Sequence, residues 1–156
     1  MNSFQLVGID PTPFEPWFEL SNDELRAHHA VRQFAHESPG LPCRVSLKDA
    51  EVGAELLLVP FAHHEVDSPY RASGPIYVRR GARPSQLAVG EVPPYVTRRQ
   101  ISLRAYDRAH MMIKGLVVEG PQVDSAIEAA FGDAEVAYIH LHNARRGCFS
   151  CRVNRA

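Results

Sequence analysis

Cysteine is scarce in this chain: there are three in 156 residues. Their odd number and their spacing suggest no disulfide framework. Long apolar runs are missing as well, since none approaches the ~20 residues that a membrane span needs. Neither charge sign dominates, because 17 Lys and Arg stand against 18 Asp and Glu for a formal net charge of −1. Without a basic excess, no global field draws the protein onto nucleic acid or an anionic membrane. The opening MNSFQLVGIDPTPFEPWF lacks the basic start and apolar stretch of a secretory signal, so a cytoplasmic, reducing location is expected. Repeats and low-complexity tracts are absent. So are the Gly-x-Ser-x-Gly elbow, the phosphate loop, the dinucleotide fingerprint and His-Glu-x-x-His.

What remains is the composition of an ordinary globular protein, with 45% hydrophobic and 22% charged residues. The length fits a single domain, 1–156, with a sizeable core. Phe4 to Ile9 reads as a short strand, followed by a Pro-punctuated arm whose Phe14, Trp17 and Phe18 staple it to the core. Ser21 and Glu24 form a capping box, and Ala27, Ala30, Val31 and Phe34 recur on one helical face. This predicts a helix from Ser21 until Ser38-Pro39-Gly40, with His28, His29 and His36 on its solvated flanks. Pro42 to Val45 reads as extended and Ser46 to Asp49 as one helical turn, with Cys43 a small core filler. The run Glu55 to Phe61 reads as a buried strand. Ile76 to Arg79, Ile101 to Tyr106 and Met111 to Glu119 read as further strands. Arg83 to Thr97 is Pro-rich and reads as a surface excursion. Ala126, Ile127, Ala130 and Phe131 mark a second helix that ends at Gly132. The expected class is therefore α+β, with a mixed, mostly antiparallel sheet, two main helices and a C-terminal β-hairpin. A strand–helix–strand unit over 111–142 permits one parallel crossover.

Two stretches carry groups able to do chemistry. In the first, a polar loop over 62–80, His63, His64, Asp67, Ser68, Tyr70 and Arg71 supply acid, base, hydroxyl and anion-binding groups, although Asp67 and Ser68 also suit a plain turn. The second is the ending EVAYIHLHNARRGCFSCRVNRA. Strand alternation puts Ala137, Ile139 and Leu141 on a core face, and Val136, Tyr138, His140 and His142 on the other, half-buried one. With Asn143 to Gly147 as the turn and Gly147 left-handed, pairing about Arg145 sets His142 opposite Cys148 and His140 opposite Ser150. A bulge at Gly147 would instead bring Cys151 opposite His140. Cys148 and Cys151, three apart, face opposite ways in a regular strand. Any zinc would therefore be held by His140, His142 and Cys148 rather than by the cysteine pair. The alternative is that the histidines are structural and Cys148 is simply packed. Arg79, Arg80, Arg98 and Arg99 offer an anion patch or merely solvated edges.

The phrases PGLPCRVSLKDAEVGAELLLVPF, VDSPYRASGPIYVRRGA, ISLRAYD and IHLHNARRGCFSCRVNRA resemble the bacterial domain-of-unknown-function family 1203. The resemblance runs over almost the whole chain, including Gly8-Ile9-Asp10. It implies a small cytosolic single-domain bacterial protein and carries no established activity. Ser68-Pro69-Tyr70, His142-Asn143-Ala144 and Gly147-Cys148 match its motifs. The family often has alanine at position 151 and histidine at position 74, which weakens a Cys-x-x-Cys mechanism and a role for Gly74.

The functional expectation is a small-molecule-binding or catalytic pocket between the 62–80 loop and the 135–153 hairpin. Its ligand-binding candidates are His64, Asp67, Ser68, Tyr70, Arg71, His140, His142 and Asn143, and its ligand a small molecule or anion. Near-neutral histidine pKa values would let such a cluster act as acid or base. The rival is an interaction module without chemistry, in which the exposed terminal hairpin pairs with a second copy as a homodimer.

Overall fold

The computed structural model describes residues 3–156. Its strands are β1 (Phe4–Val7), β2 (Val31–Phe34), β3 (Pro42–Cys43), β4 (Lys48–Asp49), β5 (Glu55–His64), β6 (Ala72–Arg79), β7 (Gln100–Tyr106), β8 (Met112–Glu119), β9 (Tyr138–Asn143) and β10 (Phe149–Arg155). Three short helices accompany them: α1 (Asn22–Ala27), α2 (Pro94–Thr97) and α3 (Val123–Phe131). The α+β class and the antiparallel bias stand, but there are two five-stranded sheets where one was expected. Sheet A runs β1-β10-β9-β7-β8 and sheet B runs β2-β5-β6-β3-β4.

Sheet A is anchored by alternation. Ile139 and Leu141 of β9 and Ile101, Leu103 and Ala105 of β7 point to one side, where α3 covers them. Val123, Ile127 and Phe131 recur every four residues along α3, so one helical face meets the sheet. Each fully buried aliphatic or aromatic side chain here contributes about 1.5–3 kcal/mol. The Pro-rich 83–97 segment is no surface excursion throughout, because Tyr95 and Val96 join this same core. Sheet B has its own cluster, in which Leu57, Val59, Ile76 and Val78 pack under Phe14, Phe18 and Leu25. The N-terminal arm is thus stapled as expected, and Cys43 is a wholly buried filler.

The first expected helix ends early. The capping box at Ser21 and Glu24 forms, but α1 stops at Ala27 and His29 takes a φ of 59°. Past that left-handed residue the chain turns into β2, at the edge of sheet B, and Val31 and Phe34 are half exposed there. An edge strand with one open side imitated the helical stripe. The unit over 111–142 is a parallel crossover as expected, since β8 and β9 both run antiparallel to β7 and so parallel to each other. α3 joins β8 to β9, but β7 lies between them and pairs antiparallel with both.

The terminal hairpin differs in register and in place. Gly147 is left-handed as expected, at φ 80°. His142 lies opposite Phe149, and a bulge between Phe149 and Cys151 then sets His140 opposite Arg152. The His142–Phe149 pair is the one that a single slip at the turn gives, and the second slip, inside β10, moves His140 from Cys151 to Arg152. The hairpin is also no exposed edge: β1 flanks β10 and β7 flanks β9.

Gly8 fixes the loop after β1 against the turn at 44–45. A Cβ at Gly8 would sit 2.0 Å from the Val45 carbonyl oxygen, and the Ile9 amide donates to the Arg44 carbonyl at 3.0 Å. Backbone cannot yield as a side-chain tip can. Gly8→Ala is expected to lower unfolding free energy by about 1–3 kcal/mol in urea titrations, the range for overpacking.

Candidate functional site

β9 is buried on both faces. On the side away from α3 it presents Tyr138, His140 and His142, all at most 3% exposed. Antiparallel pairing sets Tyr106, Arg104 and Ser102 of β7 beside them on one flank. On the other flank β10 places Arg152 beside His140 and Phe149 beside His142. The end of β5 closes over this row. Ordinary alternation would send His63 and His64 to opposite faces, but β5 is bulged between Phe61 and His64, which lets both meet the row. The His63 ring stacks on Phe149 at 5.3 Å and lies 5.1 Å from the His142 ring. The His64 ring lies 4.3 Å from Tyr106 and 5.0 Å from His140.

A hydrogen-bonded chain runs through one end of this cluster. His64 Nδ1 is 2.8 Å from the Tyr70 carbonyl, and its Nε2 is 2.6 Å from the Tyr138 hydroxyl. His110 Nδ1 lies 2.8 Å from the same hydroxyl. A carbonyl only accepts, so His64 Nδ1 carries its proton. In neutral His64, Nε2 then accepts from the Tyr138 O–H, and that oxygen accepts from His110 Nδ1–H. The order His110, Tyr138, His64 is therefore a directed proton path with one phenol between two imidazoles. Ser68 holds the two loops together, donating to the His110 carbonyl at 2.9 Å and accepting from the Tyr70 amide at 3.0 Å.

Burial sets the charge states. Desolvation lowers His140 to about 2, with the neighbouring His64 and His142 adding to it. His142 and His63 are both lowered to about 4, again chiefly by desolvation. Desolvation also raises Tyr138 to about 12 and lifts Tyr106, so the phenols keep their protons. Nδ1 of His63, Nδ1 of His140 and Nε2 of His142 are buried without a hydrogen-bond partner. Among the described residues neither Arg104 nor Arg152 pairs with a carboxylate. Arg152 instead lies over the Tyr138 ring at 4.1 Å. Neutral imidazoles, protonated phenols and two unpaired guanidinium groups thus share one face.

The loop expected over 62–80 is shorter, since only 65–71 connects β5 to β6. His64 meets His140, while Ser68 and Tyr70 reach the cluster through His110, His64 and Tyr106 rather than through His140 or His142. Asp67 and Arg71 do not: both are exposed, and Arg71 pairs with Glu65 at 3.4 Å. Asn143 lies beyond His142 with its Oδ1 buried and unpartnered. Cys148 does not join the two histidines, because Arg44 Nη2 donates to its sulfur at 3.2 Å and His142 Nδ1 bonds the Gly147 carbonyl. Cys151 packs in the sheet A core, away from Cys148. Among the described residues no three His, Cys, Asp or Glu side chains converge as a metal-ligand set. The expected half-buried histidines are fully buried, because the end of β5 covers them. Of the expected anion patch, Arg98 and Arg99 share Asp49 and Arg80 pairs with Glu19 and Glu55, while Arg79 bonds the Arg80 carbonyl.

His110, Tyr106, Arg104 and Arg152 escaped the sequence reading. The polar alternation Ser102, Arg104, Tyr106 was the available signal, because it matches the parity of Tyr138, His140 and His142. His110 stands at φ 64°, uncommon for a residue with a Cβ.

A family model described as "Protein of unknown function (DUF1203)" matches residues 40–155. Every element of the cluster lies inside that match; β1 and the N-terminal arm lie outside it. No curated protein and no solved structure matches the chain.

The lowered histidines make stability depend on acid. Below pH 6.5 the unfolded chain takes up protons that the folded chain refuses, so stability is complete above that pH. It falls as pH drops from 6.5 towards about 4 for His142, and further for His140. Each of these two contributes about 1.4 kcal/mol per pH unit inside its window. Urea midpoints are expected to fall steadily from pH 7 to pH 5, and the slope is expected to flatten in His142→Gln.

Proposed function

The chain belongs to the DUF1203 family, and we propose that the face of Tyr138, His64, His110 and His140 is an acid–base site acting on a small molecule. The observation that carries this reading is the Tyr138 hydroxyl held between two imidazole nitrogens at 2.6 and 2.8 Å. One imidazole N–H donating to the phenol and one imidazole nitrogen accepting from it give a proton both a source and a sink, the requirement of general acid–base catalysis. Tyr138 donates a proton to the substrate, and the His110 Nδ1–H that faces its oxygen restores it. Arg104 and Arg152, on either side of His140, hold an anionic group of the substrate. Tyr70, 37% exposed and with its ring 6.1 Å from Tyr106, stands at the rim where a ligand enters.

This reading is tested by incubating the protein with a cell-extract metabolite pool and following conversion by mass spectrometry. A substrate consumed by the parent should be turned over about 100-fold or more slowly by Tyr138→Phe, and at the parental rate by Asp67→Asn. Equal turnover by Tyr138→Phe, or binding with no conversion by the parent, would remove the catalytic role.

A specific feature favours the second reading, an interaction module forming a homodimer. β8 is an edge of sheet A, and Ile113, Leu116 and Val117 on it are 39%, 40% and 57% exposed. Open strand edges with apolar side chains invite pairing. Under this reading light scattering gives twice the chain mass, and Val117→Lys gives the monomer.

A further inference from the structure

A cleft of about 1160 Å³ opens at the other end of β9, between β2, the start of β7 and the β9–β10 turn. Six of its lining residues are arginine and two are glutamate. Three of those arginines are already matched: Arg32 pairs with Glu55, and Arg98 and Arg99 pair with Asp49. Among the described residues Arg44, Arg145 and Arg146 have no carboxylate partner.

Arg44 is the unusual one. It is 1% exposed, and its partners are the Phe149 and Pro42 carbonyls and the Cys148 sulfur. These use three of its five N–H groups and cancel none of its charge. A guanidinium out of water is expensive to hold without an anion. The chain nevertheless fixes it there, through the Gly8 contact with the 44–45 backbone. An independent observation lies beside it. Asn143 Oδ1 is buried without a partner, while its Nδ2 is turned to Cys148 at 4.0 Å. The cleft wall thus carries uncompensated positive charge, and one of its lining residues holds an unused, buried acceptor.

We propose that this cleft binds a small organic anion, a carboxylate or phosphate ester that also carries a hydroxyl group. The anionic group answers Arg44 and the arginines of the 145–146 turn, and the hydroxyl donates to Asn143 Oδ1. Arginine suits either anion through paired N–H donors. The cleft is large enough for a ligand well beyond a bare ion. This assignment is independent of the acid–base reading of the Tyr138 face.

The test is isothermal titration of the full chain with glycerate, glycerol 3-phosphate and propionate. Glycerate or glycerol 3-phosphate should bind the parent, and whichever binds more tightly identifies the anion class. Exposed Arg145 and Arg146 can be removed without disturbing the core, and Arg145→Ala/Arg146→Ala should weaken that binding at least tenfold. Asn143→Ala should erase the preference for glycerate over propionate. Arg71→Ala, on the distant β5–β6 loop, should bind as the parent does. Arg44→Met should stay folded by circular dichroism and lose binding; should it unfold, the surface double variant decides. No binding of either hydroxylated anion at millimolar concentration, or undiminished binding by the double variant, would overturn the assignment.

Discussion

Covering a polar strand face on both sides is the constraint that governs this molecule. β9 lies inside sheet A, its aliphatic side under α3 and its polar side under the end of β5. Water is excluded from both, so every polar atom on it must find a protein partner or remain unsatisfied at a cost. Tyr138 and His64 meet that demand through the chain to His110 and the Tyr70 carbonyl. The His140 Nδ1 finds no partner, and burial keeps its imidazole neutral. The loops at 65–71 and 107–111 meet around the same demand: His110 bonds the Tyr138 hydroxyl, and Ser68 bonds the His110 carbonyl.

Much of this was legible. The parity of Ile139 and Leu141 against Tyr138, His140 and His142 is written in the strand itself, and so is the separation of Cys148 from Cys151. The pairing of the terminal stretch with the loop that follows β5 also emerged, for His64, Ser68 and Tyr70. What alternation could not supply was where alternation breaks. Bulges in β5 and β10 each shift register by one residue; Pro60 and the facing Gly74-Pro75 flank the first, whereas no glycine or proline lies within β10 at the second. The Val31–Phe34 segment was misread for a related reason. Its four residues satisfy a helical stripe and a short edge strand alike, and the left-handed His29 decides between them. Asp67 and Arg71 were chosen for their chemistry, but a seven-residue connection faces water at its tip, and that is where they lie.

The two ends of β9 also divide the chemistry. Towards Tyr138 the groups are hydrogen-bonded to one another at short distances, a packed arrangement with its proton positions set. Towards Asn143 the strand borders an open cleft, and Arg44 is fixed, buried, in its wall without a counter-charge. Histidines 140 and 142 lie between these regimes. Their rings are 6.4 Å apart, and their neutrality keeps the middle of the strand from repelling Arg44 and Arg104.

The bulge in β5 has a consequence for how this surface can vary. A regular strand offers a given face one side chain in two, so neighbouring residues are competitors for it. At Ala62–His63 that competition is suspended, and a His-His dipeptide serves two different neighbourhoods, one aromatic and imidazole-rich around Phe149, the other phenolic around Tyr138. The irregularity therefore behaves as a frame shift held in the backbone. Side chains on either side of it can be exchanged singly, whereas the spacing between them cannot change by one residue without turning an entire half of the strand inside out.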